Sequence, residues 1–390
     1  MCREPILYHN YEDCCGCTVC SAICPRDAIS FQYNEEGFLY PEINRENCIE
    51  CFLCEKICSF QKDIKCRQDI TLERKIYAVK HKQNNIVKQS SSGGAFTALS
   101  DYFILHGNAI ASSVYLCDEK AVEFAIYTDK DSRDDARGSK YIQAETGEAY
   151  KKICEWLVLH PHREMMIVGT GCQIAGLDLL LKEKRLREKV VLVDLICHGV
   201  SSSKLWKDYS GELEKDKSGR ISYLTFKNKD NGWKNPSAFV VINNKRESIK
   251  PFSEWFYNGW ILRESCYQCP YTKVERTGSD ITIGDYWGVD VVKPEFYDEY
   301  GVSLVILQNE KGEYIFDKIR NDIFFEEVSK GMCSQPRLVF PASRPKNRDK
   351  FWNDMRKNGI KYCSVHYTEQ SALSWRRRLK KIVIKYFMKK

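Results

Sequence analysis

At 390 residues, 43% hydrophobic and 29% charged, the chain suits about two or three globular domains and excludes a disordered or collagen-like protein. Its net charge of +7 is local: eight of the 60 Lys and Arg lie in residues 376–390, leaving 52 basic against 53 acidic residues, so the body has no general basic surface for nucleic acid. Nineteen cysteines, an odd number in a long chain, argue against a secreted disulfide scaffold and for metal binding in a reducing compartment.

Eleven of those cysteines fall in the first 66 residues and mark a distinct N-terminal module. Cys14, Cys17, Cys20 and Cys24, followed by Pro25, have the spacing C-x2-C-x2-C-x3-C-P; Cys48, Cys51, Cys54 and Cys58 repeat it with Ser59 in place of the proline. In bacterial two-cluster ferredoxins three close thiolates wrap one 4Fe-4S cube, and the fourth cysteine of each run crosses to the other cube. The expected ligand sets are therefore Cys14, Cys17, Cys20 and Cys58 for one cluster, and Cys48, Cys51, Cys54 and Cys24 for the second. Zinc is the competing reading, but a tetrahedral zinc site joins two separated pairs rather than two runs of four. Cys15 reads as a spare thiol, and Cys2 and Cys66 have no assigned role. Between the runs, residues 28–33 and 37–40 read as short strands around a turn at 34–37.

After a polar connector over residues 63–74, strands alternate with helices. Strands are expected over 75–80, 108–116, 164–169 and 190–197, and helices over 94–105, 148–159 and 173–184. The Val, Leu and Ile density of 190–197 points to a strand buried on both faces. Shorter strands over 237–243 and 280–283 read as an antiparallel part beside the main sheet. The expected fold class is a ferredoxin-like α+β two-cluster module fused to an α/β domain with a mixed sheet. The domains expected are 1–62 for the cluster module, 63–74 for the linker, 75–365 for the redox domain and 366–390 for a basic tail.

Cys172, in the turn after strand 164–169, and Cys197, closing strand 190–197, sit at carboxyl ends of strands, where open sheets bind ligands. With Cys266 and Cys269 they make four thiols, read as ligands of a third 4Fe-4S cluster. Core packing, a redox-active dithiol and half of a zinc site are the alternatives. Cys117, Cys154, Cys333 and Cys363 read as structural. Ser90 to Thr97 places small residues and hydroxyls before a helix, a phosphate-binding pattern whose bland counterpart is a capped turn. Arg137-Gly138-Ser139-Lys140-Tyr141 flanks a Gly-Ser turn with two cations, suited to a diphosphate or a reduced flavin. In Gly169-Thr170-Gly171-Cys172-Gln173, Ile174 stands where a dinucleotide fingerprint needs its third glycine, so a standard NAD site is not expected.

Taken in order, these residues resemble the beta subunit of coenzyme F420-reducing hydrogenase and its relatives, which include formate dehydrogenase beta subunits and 7-hydroxymethyl chlorophyll a reductase. The marks are the double cysteine run, Ser91-Ser92-Gly93-Gly94, Arg137 to Tyr141, Gly169 to Gln173, Cys197-His198-Gly199, Cys266-x2-Cys269-Pro270 and Ser279 to Asp285. Gly171 departs from the proline that the family usually has in that loop. The resemblance implies a flavoprotein in which FAD lies beside the third cluster. Ser92, Gly93, Gly94 and Thr97 would hold the FAD phosphates, with Gly138 and Ser139 in the second cofactor-binding turn. Lys140 would balance charge on the reduced ring, and Gln173 would hydrogen-bond near it. His198 is the candidate catalytic proton donor, with loop orientation as the bland alternative. Asp280 and Asp285 line the pocket or cap a turn.

Residues 375–390 interleave apolar side chains with eight cations, the composition of a basic helix at an anionic membrane surface or of a soluble basic terminus. No apolar run approaches the roughly 18 residues of a membrane span, and residues 1–10 lack a signal-peptide layout, so a cytoplasmic location is expected, with peripheral membrane contact through the tail as its variant. Two functional readings follow. The first is an autonomous iron-sulfur flavin oxidoreductase acting on a small organic substrate, with polysaccharide biosynthesis as one setting. The alternative is an electron-transfer beta subunit of a hydrogenase or dehydrogenase complex using coenzyme F420 or ferredoxin.

Overall fold

The computed structural model describes residues 4–60, 74–276 and 278–368. Cys2, Cys66, most of the connector and nearly all of the basic tail lie outside the described residues. Among those described, no helix is long and apolar enough to cross a membrane.

The N-terminal cysteine runs fold as a repeat. Strands β1 (Ile29–Tyr33) and β2 (Leu39–Ile43) pair antiparallel, and two five-residue helices, Val19–Ile23 and Leu53–Ile57, pack against each other. Each helix follows a left-handed residue, Thr18 at φ 61° and Phe52 at φ 59°, and each ends on an extended cysteine, Cys24 and Cys58. The repeated spacing thus becomes a repeated backbone, with each fourth cysteine leaving its helix as extended chain.

The larger part is a mixed eight-stranded sheet. In chain order its strands are β3 (Lys75–His81), β4 (Ala109–Leu116), β5 (Ala121–Tyr127), β6 (Met165–Thr170) and β7 (Val190–Leu195), and later β11 (Ile281–Asp285), β12 (Ser303–Leu307) and β13 (Ile323–Glu327). They lie in the order β13-β3-β12-β11-β7-β6-β4-β5. The run β11-β7-β6-β4 is parallel and its flanks are antiparallel. Strand β12 is buried along its whole length, as are β6 and β7 except at their last residue; helices cover both faces, which explains their largely apolar sequences, and the one acid, Asp194 of β7, is paired with Arg276. A second sheet holds β8 (Ile221–Asn228), β9 (Ser237–Ile242) and β10 (Lys245–Ser248), all antiparallel.

The expectation for residues 280–283 needs correction. Strand β11 is central in the main sheet, parallel to β7 and antiparallel to β12, while 237–242 alone belongs to the side sheet. A short apolar segment does not reveal which sheet it joins, because both environments bury it.

The cluster module is seated on the main domain through apolar contact. Val19, Ala22, Ile23 and Ile57 share one buried core with Ile174, Leu177, Leu180 and Leu181 of the helix Gly171–Glu183. Gly176 allows the approach: a Cβ there would stand 3.0 Å from Val19 Cγ2 and 3.1 Å from Cys17 Sγ. Ion pairs add register, with Arg348 Nη1 donating to Glu36 at 2.6 Å and Lys151 Nζ to Asp27 at 2.6 Å.

Candidate redox centre

Three groups of thiols come together. In the first, burial pushes the Cys20 thiol well up, and the neighbouring Cys17, Cys14 and Cys58 push it further. In the second, Cys24, Cys48, Cys51 and Cys54 wall one small cavity with Ile29, Ile43, Phe52 and Leu53. Burial raises Cys54 to about 11, with Cys24 and Cys51 adding to it. The geometry therefore pairs the fourth cysteine of each run with the other run.

The third group is assembled from segments far apart in sequence. Cys172 opens the helix Gly171–Glu183 after β6, Cys197 follows β7, Cys266 lies within the 3-10 turn Glu264–Gln268 and Cys269 closes it. All four line one cavity with Cys15, Tyr271 and Arg276. Burial raises Cys197 and Cys269 each to about 12, and Cys172 raises both further. Cys172 moves the other way, to about 7, because Cys15 hydrogen-bonds to it. Four converging thiols in a small, poorly solvated space fit an iron-sulfur cube, whose binding would displace their protons.

Cys15 is not peripheral. Its side chain is 7% exposed and hydrogen-bonds to both Cys17 and Cys172, placing it between the first and third thiol groups. Spacing could not reveal this, because its partner Cys172 lies on a different domain. Around it, Gln143 Nε2 donates to Cys15 O at 3.0 Å, Thr146 Oγ1 donates to Cys17 O at 3.3 Å, and Arg263 Nε donates to Cys14 O at 2.8 Å. Gln143, Thr146 and Arg263 escaped the sequence reading because nothing in their local pattern indicates a cysteine loop.

A larger cavity of about 230 Å³ opens beside the third thiol group. Thr170, Leu195, Cys197, His198, Gly199 and Val200 line both spaces, so one wall separates them. The volume falls just below the roughly 300 to 1,000 Å³ of small-molecule sites. On its wall stand Ser90, Ser91, Ser92 and Gly94, at the start of the helix Ala95–Leu105, and Arg137, Gly138, Ser139 and Lys140. The hydroxyls of Ser139 and Ser91 join at 3.0 Å, tying the two loops together. Buried Nε of Arg137 and Nε2 of His198 have no partner, two polar groups in want of a ligand.

The residues expected to bind cofactor divide. Gln173 lines the cavity, but its Oε1 already accepts from Thr170 N at 3.1 Å and Thr170 Oγ1 at 3.0 Å. Ser92 Oγ donates to Val302 O at 2.6 Å, leaving its hydroxyl proton committed. Gly93 and Thr97 are not on the wall: a Cβ on Gly93 would meet Val79 O at 2.3 Å, and Thr97 is fully buried. Lys140 Nζ donates to the carbonyls of Ala136 at 2.8 Å and Arg137 at 2.9 Å, and desolvation lowers it to about 7.

His198 is held by its neighbours. Arg337 Nε donates to its Nδ1 at 3.2 Å, and burial, aided by that cation, lowers it to about 4. A neutral ring with Nδ1 accepting carries its hydrogen on Nε2, the unpartnered atom, and so offers a hydrogen-bond donor rather than an acid. Asp285 lines the cavity and accepts from Trp233 Nε1 at 3.0 Å and Lys227 Nζ at 2.5 Å. Asp280 is a structural group: it accepts from Arg187 at 2.7 Å and from Leu192 N at 2.8 Å.

Two segments of the chain match known protein families. Residues 162–330 match the family described as the C terminus of the coenzyme F420 hydrogenase/dehydrogenase beta subunit, and residues 13–62 match the 4Fe-4S dicluster domain. No curated protein matches the chain. Among solved structures, a chain of the F420-reducing NiFe hydrogenase complex from Methanosarcina barkeri is similar at 14% identity, over 73% of this chain and 92% of that one, with a TM-score of 0.46. Through residues 162–330 the chain is related to the coenzyme F420 hydrogenase/dehydrogenase beta subunit, and with a 4Fe-4S dicluster domain ahead of that segment it is an iron-sulfur electron-transfer protein.

Proposed function

We propose that the chain is an electron-transfer subunit of a larger hydrogenase- or dehydrogenase-type complex, holding three 4Fe-4S clusters and a flavin. Cys14, Cys17, Cys20 and Cys58 hold the first cluster, Cys24, Cys48, Cys51 and Cys54 the second, and Cys172, Cys197, Cys266 and Cys269 the third. Residues 1–62 form the dicluster module and residues 75–365 the domain that binds the third cluster and FAD. The observation that carries the reading is the wall shared by the four-thiol cavity and the larger cavity. When bound, clusters supply single electrons and a flavin couples them to two-electron chemistry.

The chain's own part is to bind, orient and exclude water. The Ser90–Gly94 loop and Arg137 offer amides and a cation to a phosphate-bearing cofactor, and the unpartnered Arg137 Nε supports that use. Lys140, lowered to about 7 by desolvation, gains its full charge most readily beside an anion, which suits a reduced ring. His198, neutral and on the cavity wall, has its Nε2–H available to donate to a bound ring.

The match of 162–330 to a beta-subunit family favours this over a self-sufficient oxidoreductase of polysaccharide synthesis. Anaerobically purified full-length protein, reduced by dithionite, should hold its electrons and turn over no soluble organic acceptor until a partner protein of the complex is added. Steady turnover by the isolated chain would support the autonomous enzyme instead.

A further inference from the structure

Arg263 is a fully buried arginine at the seam between the cluster module and the main domain, three residues before Cys266. Its guanidinium is spent almost wholly on the first cysteine run and the elements that hold it. Nε donates to Cys14 O at 2.8 Å, Nη2 donates to Leu39 O at 2.9 Å and to Cys14 Sγ at 3.7 Å, and Nη1 donates to Gln143 Oε1 at 3.0 Å. Its Cζ lies 4.1 Å from the Tyr40 ring centre and 5.5 Å from that of Phe38. Among the described residues, none of these partners is a carboxylate.

A buried cation without a carboxylate is costly, and two aromatic faces with neutral acceptors recover only part of its lost hydration. The compensation missing from the protein is a negative charge at the sulfur it touches. A thiolate-bound cluster supplies that charge, and gains more of it with each electron. Potentials of such clusters respond to net charge, hydrogen bonds to sulfur and exposure, and Arg263 acts through all three at Cys14.

We propose that Arg263 is a potential-setting residue for the cluster of Cys14, Cys17, Cys20 and Cys58, stabilising its reduced state through the Nη2–H hydrogen bond to Cys14 Sγ. This rests on the assignment of that cluster above. It goes beyond that assignment by giving the first cluster an electrostatic control located on the other domain, next to the ligands of the third. Seating the module on the main domain and tuning its nearer cluster are then one event, because the residue that locks the loop also carries the charge.

Potentiometric EPR on anaerobically purified full-length protein tests this with Arg263→Gln and Arg263→Lys. Arg263→Gln should keep the wild-type iron and sulfide content. The first cluster should then become harder to reduce by tenfold or more in its redox equilibrium, about 59 mV for one electron. Arg263→Lys, which keeps the charge but not the fork, should fall between. An unchanged potential in an iron-replete Arg263→Gln protein overturns the proposal while leaving the cluster assignment intact; wild type without clusters overturns the assignment itself. Should Arg263→Gln not fold, wild type labelled with 15N at arginine decides. Pulsed EPR of the reduced first cluster should detect a 15N coupling, and its absence overturns the proposal.

Discussion

The buried thiol of Cys15 hydrogen-bonds to the sulfur of Cys172, joining the first cysteine run to the head of a helix in the other domain. The same thiol also bonds to Cys17, so one side chain touches a proposed ligand of each of two clusters. Hydrogen bonds to cluster sulfurs raise reduction potentials. Cys15→Ala should therefore leave the iron content unchanged and lower the potentials of the first and third clusters together, each by roughly 30 to 60 mV, a three- to tenfold change in equilibrium. Potentiometric EPR measures both; a shift in neither means that the contact is packing alone.

Gly176 is a point of close approach between the domains, with a Cβ there 3.0 Å from Val19 Cγ2 and 3.1 Å from Cys17 Sγ. Gly176→Val forces the helix and the module apart. Overpacking of this kind costs about 1 to 3 kcal/mol. The expected result is a lowered melting temperature by calorimetry and a faster loss of iron to chelator. Gly176→Ala should show the same effects in smaller degree.

Asp280 and Asp178 share Arg187 in a buried network, with Asp280 accepting at 2.7 Å and Asp178 at 2.8 Å. Removing one partner leaves a buried cation short of charge and the Leu192 N–H without its acceptor. Asp280→Ala should destabilise the fold by about 3 kcal/mol. Chemical denaturation provides the measure, and the cofactor content of the folded fraction should be unaltered because Asp280 does not line the cavity.

Two groups make stability depend on pH in separable windows. His198 falls from 6.5 to about 4 by burial, so between those values the unfolded chain holds the extra proton and stability rises with pH. Lys140 falls from 10.5 to about 7 by desolvation, and by the same sign stability rises with pH across that higher window. Melting temperatures should lose the acid slope in His198→Gln and the alkaline slope in Lys140→Met. A His198→Gln profile identical to wild type below pH 6 would contradict the neutral ring.

Much of this was legible in the sequence, for particular reasons. The cysteine spacings of 14–24 and 48–58 were readable because a local repeat dictates a local backbone, visible in the matching φ of Thr18 and Phe52. The strands β6 and β7 declared themselves by apolar runs between turn residues, interrupted in β7 only by Asp194. Strands β12 and β13 and the central place of β11 did not, since sheet order depends on pairings across long sequence separations. The site divided in the same way: Arg137 to Lys140 and His198 were marked by neighbours, whereas Cys15, Gln143 and Arg263 acquire their roles only when two domains meet. Gly93 and Thr97 carried the right residue types but face backbone and core rather than cavity.

The most direct test is the iron and acid-labile sulfide content of anaerobically isolated full-length protein, read with its low-temperature EPR spectrum. The account predicts about twelve irons per chain and mutually interacting signals from three reduced clusters. About eight irons, with Cys172, Cys197, Cys266 and Cys269 open to thiol reagents in the folded protein, would contradict it.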